Sequence, residues 1–126
     1  MPKAPVWTGK PVEGAPYTPG IVTNGLVFVS GQVPVDPATG KVVEGDFRDR
    51  VRRCIANVQG VLQAAGADLD NAVKVVVFLT DMGRFAELNA VYREYWGPTK
   101  PARSCVQVAG LPLGVDVEIE AIAELP

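Results

Sequence analysis

Between Asp46 and Gly66 the apolar residues recur at helical spacing, while those on either side alternate or run together. This switching of period constrains the fold more than any other feature. Phe47, Val51, Cys54, Ile55, Val58, Val61, Leu62 and Ala65 form one stripe, with Asp46 placed to cap the helix and Gly66 to end it. Upstream, Ile21-Val22-Thr23 and Leu26 to Ser30 flank Asn24-Gly25, a dipeptide that supplies the positive φ angles of a tight hairpin. Asp36 to Gly40 predicts a second turn, with Lys41-Val42-Val43 as a short return strand. Downstream, the β-branched run Val73 to Leu79 reads as a strand covered on at least one face. A second helix fits Gly83 to Trp96, with the stripe Phe85, Leu88, Val91, Tyr92 and Tyr95 and the stop signal Gly97-Pro98. Ala102 to Val108 and Val115 to Leu125 complete the strands.

Prolines at 2, 5, 11, 16 and 19 exclude a helix from residues 1–20, which are expected to run as an extended arm or loop. With 126 residues and no linker, repeat or charge block, the chain is expected to be one domain, 1–126. Alternation assigns faces. In the last strand Val117, Ile119, Ala121 and Ala123 oppose Asp116, Glu118, Glu120, Ile122 and Glu124. In the strand before it, Ser104, Val106 and Val108 oppose Arg103, Cys105 and Gln107. If both apolar faces lie beneath the helices, the helix-free face carries Arg103, Cys105, Gln107, Glu118 and Glu120. Such a mixed face is expected to be an oligomer interface containing a polar pocket.

The chain has no histidine, which excludes Ser-His-Asp and Cys-His mechanisms and His-ligated metals. Its two cysteines, Cys54 and Cys105, cannot make a four-sulfur site, and so sparse a usage reads as reduced, packed thiols rather than a disulfide. Any chemistry must use Arg, Lys, Asp, Glu, Tyr, Cys, backbone groups or water, and neither metal nor cofactor is expected. A net charge of −2 and a pI near 5.1 give no general attraction to nucleic acid. Arg48, Arg50, Arg52 and Arg53 are read as a solvated helix surface, with Asp46 and Asp49 close by. Val75 to Leu79, the longest aliphatic and aromatic run, is too short to cross a bilayer, and residues 1–10 lack a signal-peptide core; a soluble, cytoplasmic protein is expected.

The segment Lys100-Pro101-Ala102-Arg103-Ser104-Cys105-Val106, followed by Val115 to Ala123 (VDVEIEAIA), closely resembles the RidA family of YjgF-type reactive-intermediate deaminases. Pro16-Tyr17-Thr18-Pro19, Val29 to Pro34, Val77 to Met82, and Phe85-Ala86 through Asn89 match its other landmarks in order. The resemblance runs from about residue 15 onward. It implies an α+β, chorismate-mutase-like fold: a mostly antiparallel sheet with two helices packed on one face, assembled as a homotrimer with pockets between subunits. The implied activity is that of a 2-iminobutanoate/2-iminopropanoate deaminase, which hydrolyses the enamine and imine products of amino-acid dehydratases to 2-oxo acids and ammonia. Ala15 and Thr18 stand where the family usually has Gly and Ser, which bears on substrate size, and Gly110 replaces a common Arg.

Such a reaction needs a carboxylate anchor, a dry pocket and a positioned water. Arg103 suits the anchor, because guanidinium pairs with a carboxylate through two parallel hydrogen bonds; its alternative is a structural salt bridge to Glu118 or Glu120. Glu120 can orient the attacking water or take its proton, or be an ordinary charge on a strand face. Cys105 sits beside an arginine, but with no base near it in sequence it reads as a packed residue offering backbone hydrogen bonds or pocket wall. The resemblance places Tyr17 over the pocket as a contact or lid, the alternative being a surface tyrosine. Gly31 fits a close backbone approach to ligand or a strand bulge. Asn89 is a pocket residue in the family's manner or a solvated helix residue. The alternative to the deaminase is a non-catalytic member of the fold that binds a small carboxylate or regulates a partner. RNA cleavage, attributed to some relatives, is weakened by the absent histidine and the acidic pI.

Overall fold

The computed structural model describes residues 2–126, so Met1 of the predicted arm lies outside it. The elements are β1 (Ala4–Val6), β2 (Gly20–Thr23), β3 (Leu26–Gln32), β4 (Val35–Asp36), β5 (Lys41–Val42), α1 (Phe47–Ala64), β6 (Ala72–Leu79), α2 (Phe85–Tyr92), β7 (Ala102–Gln107) and β8 (Val117–Glu124). Six strands form one sheet in the order β1-β2-β3-β8-β6-β7, and β4 and β5 pair separately. Every neighbouring pair is antiparallel except β6 and β7, which run parallel. Both helices cover one face.

The local reasons are those of the sequence. Asn24 and Gly25 turn the β2–β3 hairpin with φ of 50° and 75°. The Asp46 carboxylate accepts from the Asp49 N–H at 3.0 Å, and Asp49 accepts from the Asp46 N–H at 3.4 Å, a reciprocal cap that starts α1. Gly66, at φ 89°, takes the left-handed conformation just beyond the helix end. The α1 stripe, with Leu88 and Val91 of α2, closes on Val27, Val29, Val75, Val77, Ile119 and Ala121 in one core. Each large side chain buried there contributes roughly 1.5–3 kcal/mol. Arg50 ties α1 to the start of β8 through two bonds to Asp116, at 2.9 and 2.8 Å.

Within the N-terminal arm Ala4–Val6 forms an edge strand on β2, and Pro5 is accommodated there. Three expectations need correction. The second helix is shorter than 83–96. A 3-10 turn at Met82–Arg84 precedes α2, which ends at Tyr92; tighter turns then carry the chain to Trp96, at φ 62° and with its ring 4.4 Å from that of Tyr92. Phe85 is 40% exposed and is not part of the core stripe. Most consequentially, the faces of β7 are reversed. Val75, Val77 and Leu79 of β6 stand opposite Ala121, Ile119 and Val117 of β8, and opposite Arg103, Cys105 and Gln107 of β7. Residues in register share a face, so Arg103, Cys105 and Gln107 lie on the helix-covered side, and Glu118 and Glu120 on the other. The expectation failed because Val106 sits on the helix-free face, which is itself apolar: Ile21, Phe28, Val76, Phe78 and Ile122 share it.

Candidate functional site

Arg103 projects from β7, the strand at one edge of the sheet, toward α2. The residues that begin and end α2 hold its guanidinium between two rings, with the Phe85 centroid 5.5 Å away and the Tyr92 centroid 4.7 Å away. Tyr92 is 6% exposed; burial pushes its phenol up to about 12, with Arg103 pulling it part of the way back, so it is a neutral platform at ordinary pH. No carboxylate lies within 4 Å of Arg103 among the described residues, so the salt bridge to Glu118 or Glu120 is not made within the chain. The planar fork instead borders a cleft of about 320 Å³ lined by Asn89, Tyr92, Arg93, Lys100, Pro101 and Arg103 itself. Asn89 therefore shares a cavity with Arg103, one turn before Tyr92 on α2.

Cys105 follows on the same face, half-buried and packed against the core. Burial pushes its thiol up, against a smaller opposing pull from Arg103. Gln107 accepts a hydrogen bond from the Met82 N–H at 2.7 Å, which fixes β7 against the turn leading into α2. The ring platform and the guanidinium are thus tied together through the backbone.

The acidic residues form a second cluster on the helix-free face of β8. Glu118 and Glu120 stand opposite Phe78 and Val76. Burial pushes the Glu118 carboxyl up, and the neighbouring charge of Glu120 adds to the effect. Gly31 lies where the β3–β8 register shifts between Val29 and Gln32, and a Cβ there would meet the Glu118 Oε2 at 2.6 Å. The irregularity and the close approach are thus one feature, and only a residue without a side chain lets the Glu118 carboxylate lie against β3. Tyr17, 64% exposed, stands over a groove of about 330 Å³ with Pro19, Gly31, Gln32, Arg53 and Asn57. The Ser30 hydroxyl donates to the Thr18 carbonyl at 2.6 Å, holding the Tyr17 segment beside β3.

The sequence-predicted residues therefore fall into two half-sites. Arg103, Asn89 and Cys105 lie on the helix side; Gly31 and Glu120 lie on the open side, and Tyr17 shares with Gly31 a groove that also takes in Arg53 and Asn57 of α1. One chain does not bring the halves together. Phe85 and Tyr92 were not among the predicted site residues, and Gln107 and Glu118 were expected only on the polar face, with no role in the chemistry. The aromatic pair was visible as part of the α2 stripe, but its role depends on the facing of β7. The arginine run of α1 is largely engaged: Arg50 pairs with Asp116, Arg52 with Asp49 and Glu94, and Arg48 with Glu87. Among the described residues no group of three His, Cys, Asp or Glu could hold a metal ion.

Residues 8–125 match the family described as Endoribonuclease L-PSP. Protein HMF1 of Saccharomyces cerevisiae is 50% identical over 113 residues, which cover 90% of this chain and 87% of that protein. The mitochondrial protein mmf1 of Schizosaccharomyces pombe is 48% identical over 124 residues, 96% of this chain and 75% of the relative. Among solved structures, E. coli TdcF with bound serine is similar with a TM-score of 0.87 and 40% identity, covering 96% of this chain and 98% of that one.

Proposed function

This chain belongs to the Endoribonuclease L-PSP family, which takes in RutC, YjgF and RidA proteins, and on that premise we propose that it is a cofactor-independent deaminase of 2-imino acids such as 2-iminobutanoate and 2-iminopropanoate. The carrying observation is Arg103, a guanidinium within reach of two aromatic rings, with no carboxylate within 4 Å among the described residues, and open to a cleft. A fork oriented without an acidic partner keeps its N–H donors for a carboxylate from outside. The serine bound to TdcF, a small molecule with a carboxylate beside a nitrogen-bearing carbon, supports this reading.

The acid–base half comes from a second copy. The helix-free face, with Phe28 39% and Val106 40% exposed, is the surface on which we place the contacts of a homotrimer. Packing that face against the Arg103 edge of a neighbour would set Glu120 and Gly31 of one subunit opposite the arginine of another, with Tyr17 at the mouth. The substrate carboxylate then rests on Arg103, and the protonated imine faces Glu120. Glu120 takes a proton from water as the water oxygen bonds to the imine carbon, giving a tetrahedral amino alcohol. Glu120 returns that proton to nitrogen and then takes the hydroxyl proton as the C=O bond forms and the C–N bond breaks, releasing the 2-oxo acid and ammonia. Cys105 supplies wall and backbone.

A second reading, RNA cleavage, has the family description in its favour. The absence of histidine, the net charge of −2 and the engaged arginines of α1 weigh against it. We place the protein in the cytoplasm, a compartment that fractionation of its native cells would check, since the S. pombe relative is named mitochondrial. No described helix is long and apolar enough to cross a membrane. The deciding experiment adds the purified protein to an amino-acid dehydratase making 2-iminobutanoate or 2-aminoacrylate, with semicarbazide as trap. Faster release of ammonia and 2-oxo acid is expected, with no loss of labelled RNA. Binding of small carboxylates without acceleration would leave only the carboxylate-binding role, and RNA cleavage would replace both.

A further inference from the structure

The Arg103 cleft holds more positive charge than one carboxylate requires. Arg93 and Lys100 line it together with Arg103, and none of its six lining residues is acidic. Among the described residues no carboxylate lies within 4 Å of any of these three cations, as is also true of Arg53 and the other lysines; what sets the three apart is that they border one cleft. Glu94, next to Arg93 in sequence, is turned to Arg52 at 2.8 Å. Lys100 donates to the Gly97 carbonyl at 3.3 Å, which leaves two of its three ammonium protons free. It also borders a neighbouring depression containing Asp70 and Glu124, but makes no ion pair with either.

Three like charges border one concavity, with Arg93 and Lys100 exposed at its margin, and among the described residues no carboxylate stands close enough to neutralise them. A monoanionic imino acid would satisfy Arg103 and leave the other two without a partner. Resting on the deaminase reading, we propose that the cleft takes 2-imino acids that carry a second anionic group on the side chain, imino dicarboxylates of the kind formed by oxidising an acidic amino acid. The α-carboxylate sits on the Arg103 fork, and the distal carboxylate on Lys100 and Arg93 at the cleft margin. The hydrolysis is unchanged; water adds across the same C=N bond and ammonia leaves.

The test compares kcat/KM for the imine of aspartate with that for the imine of 2-aminobutyrate, each generated in situ by an amino-acid oxidase and followed against semicarbazide trapping. The dicarboxylic imine is expected to be preferred by about 10-fold or more, as charge-assisted hydrogen bonds to a distal carboxylate would give. In an Arg93→Gln/Lys100→Gln variant, shown folded by circular dichroism, that ratio should fall toward one. Equal or better turnover of the monocarboxylic imine by the wild type overturns the inference while leaving the deaminase reading intact, as does a ratio that the variant does not change. Failure to hydrolyse either imine overturns the deaminase reading itself, and the inference with it.

Discussion

Replacing Arg103 with alanine separates a substrate anchor from a structural cation, because the two roles predict opposite patterns of loss. Among the described residues the side chain has no acidic partner, and its guanidinium carbon lies 5.5 and 4.7 Å from the ring centroids of Phe85 and Tyr92. Its contribution to folding is therefore limited to that cation–ring attraction, on the order of 1 kcal/mol at a half-exposed site. In a chain of this size such a loss lowers Tm by roughly 3–5 °C. The contribution to catalysis is larger. A substrate carboxylate left without its fork in a partly desolvated cleft typically loses roughly 2–5 kcal/mol. At about 1.4 kcal/mol per factor of ten, kcat/KM should fall about 30-fold to several-thousand-fold. Arg103→Lys keeps the charge without the planar fork and should recover only part of that loss. The assay is semicarbazide-competed imine hydrolysis beside thermal unfolding and light scattering. An Arg103→Ala protein that remains folded and assembled and hydrolyses imines at wild-type rates would refute the anchor; one that unfolds would show that the arginine serves the fold.

The assembled protein should scatter as a particle of about 40 kDa, three times the 13.4 kDa chain, and Ile122→Asp on the helix-free face should yield monomers that have lost activity. Gly31→Ala should lower kcat/KM about 10-fold or more with a stability change under about 1 kcal/mol, because the new methyl displaces the flexible end of Glu118 rather than backbone; unchanged kinetics would detach Glu118 and the β3 irregularity from the site. Cys105→Ser should retain turnover within a few-fold and lose about 1–2 kcal/mol of stability, since a hydroxyl replaces a thiol packed on the core; abolished turnover in a folded trimer would make the thiol a nucleophile. At Asp116 burial pushes the carboxyl up, but the two bonds from Arg50 outweigh it and hold the folded-state value below the ordinary one. That contribution is complete above the unfolded-state value of about 3.9 and lost as pH falls through the folded one, so Asp116→Asn should flatten the acid limb of a Tm–pH profile.

What the sequence made legible follows the range of the interactions concerned. The β2–β3 hairpin, α1 and its cap depend on residues within a few positions of one another, and Asn24-Gly25, Asp46 and Gly66 announce them directly. The alternation of β8 was equally local, and it placed Val117 and Ile119 on the buried face and Glu118 and Glu120 on the other. The end of α2 was not local. Tyr92 and Tyr95 continue a good helical stripe, but the chain has to leave the helix to reach β7, and Trp96 takes a left-handed conformation that no propensity assigns to it.

The error over β7 has the longest reach. Its alternation correctly separated Arg103, Cys105 and Gln107 from Ser104 and Val106, but alternation cannot say which set faces the helices when both faces of the sheet are apolar. That choice is made by the parallel register with β6, a pairing across a whole helix of intervening chain. Placing Arg103 and Glu120 on one face would have made a complete site within a single chain, with the arginine neutralised by its neighbour. The actual register puts the sheet between them, leaves the guanidinium without a counter-charge, and gives its orientation to Phe85 and Tyr92. A pocket using both residues then requires a second copy of the chain. The proposed trimer would both join the two half-sites and cover the apolar helix-free face, and on that proposal a variant that holds the chain monomeric should retain the fold while losing hydrolysis completely.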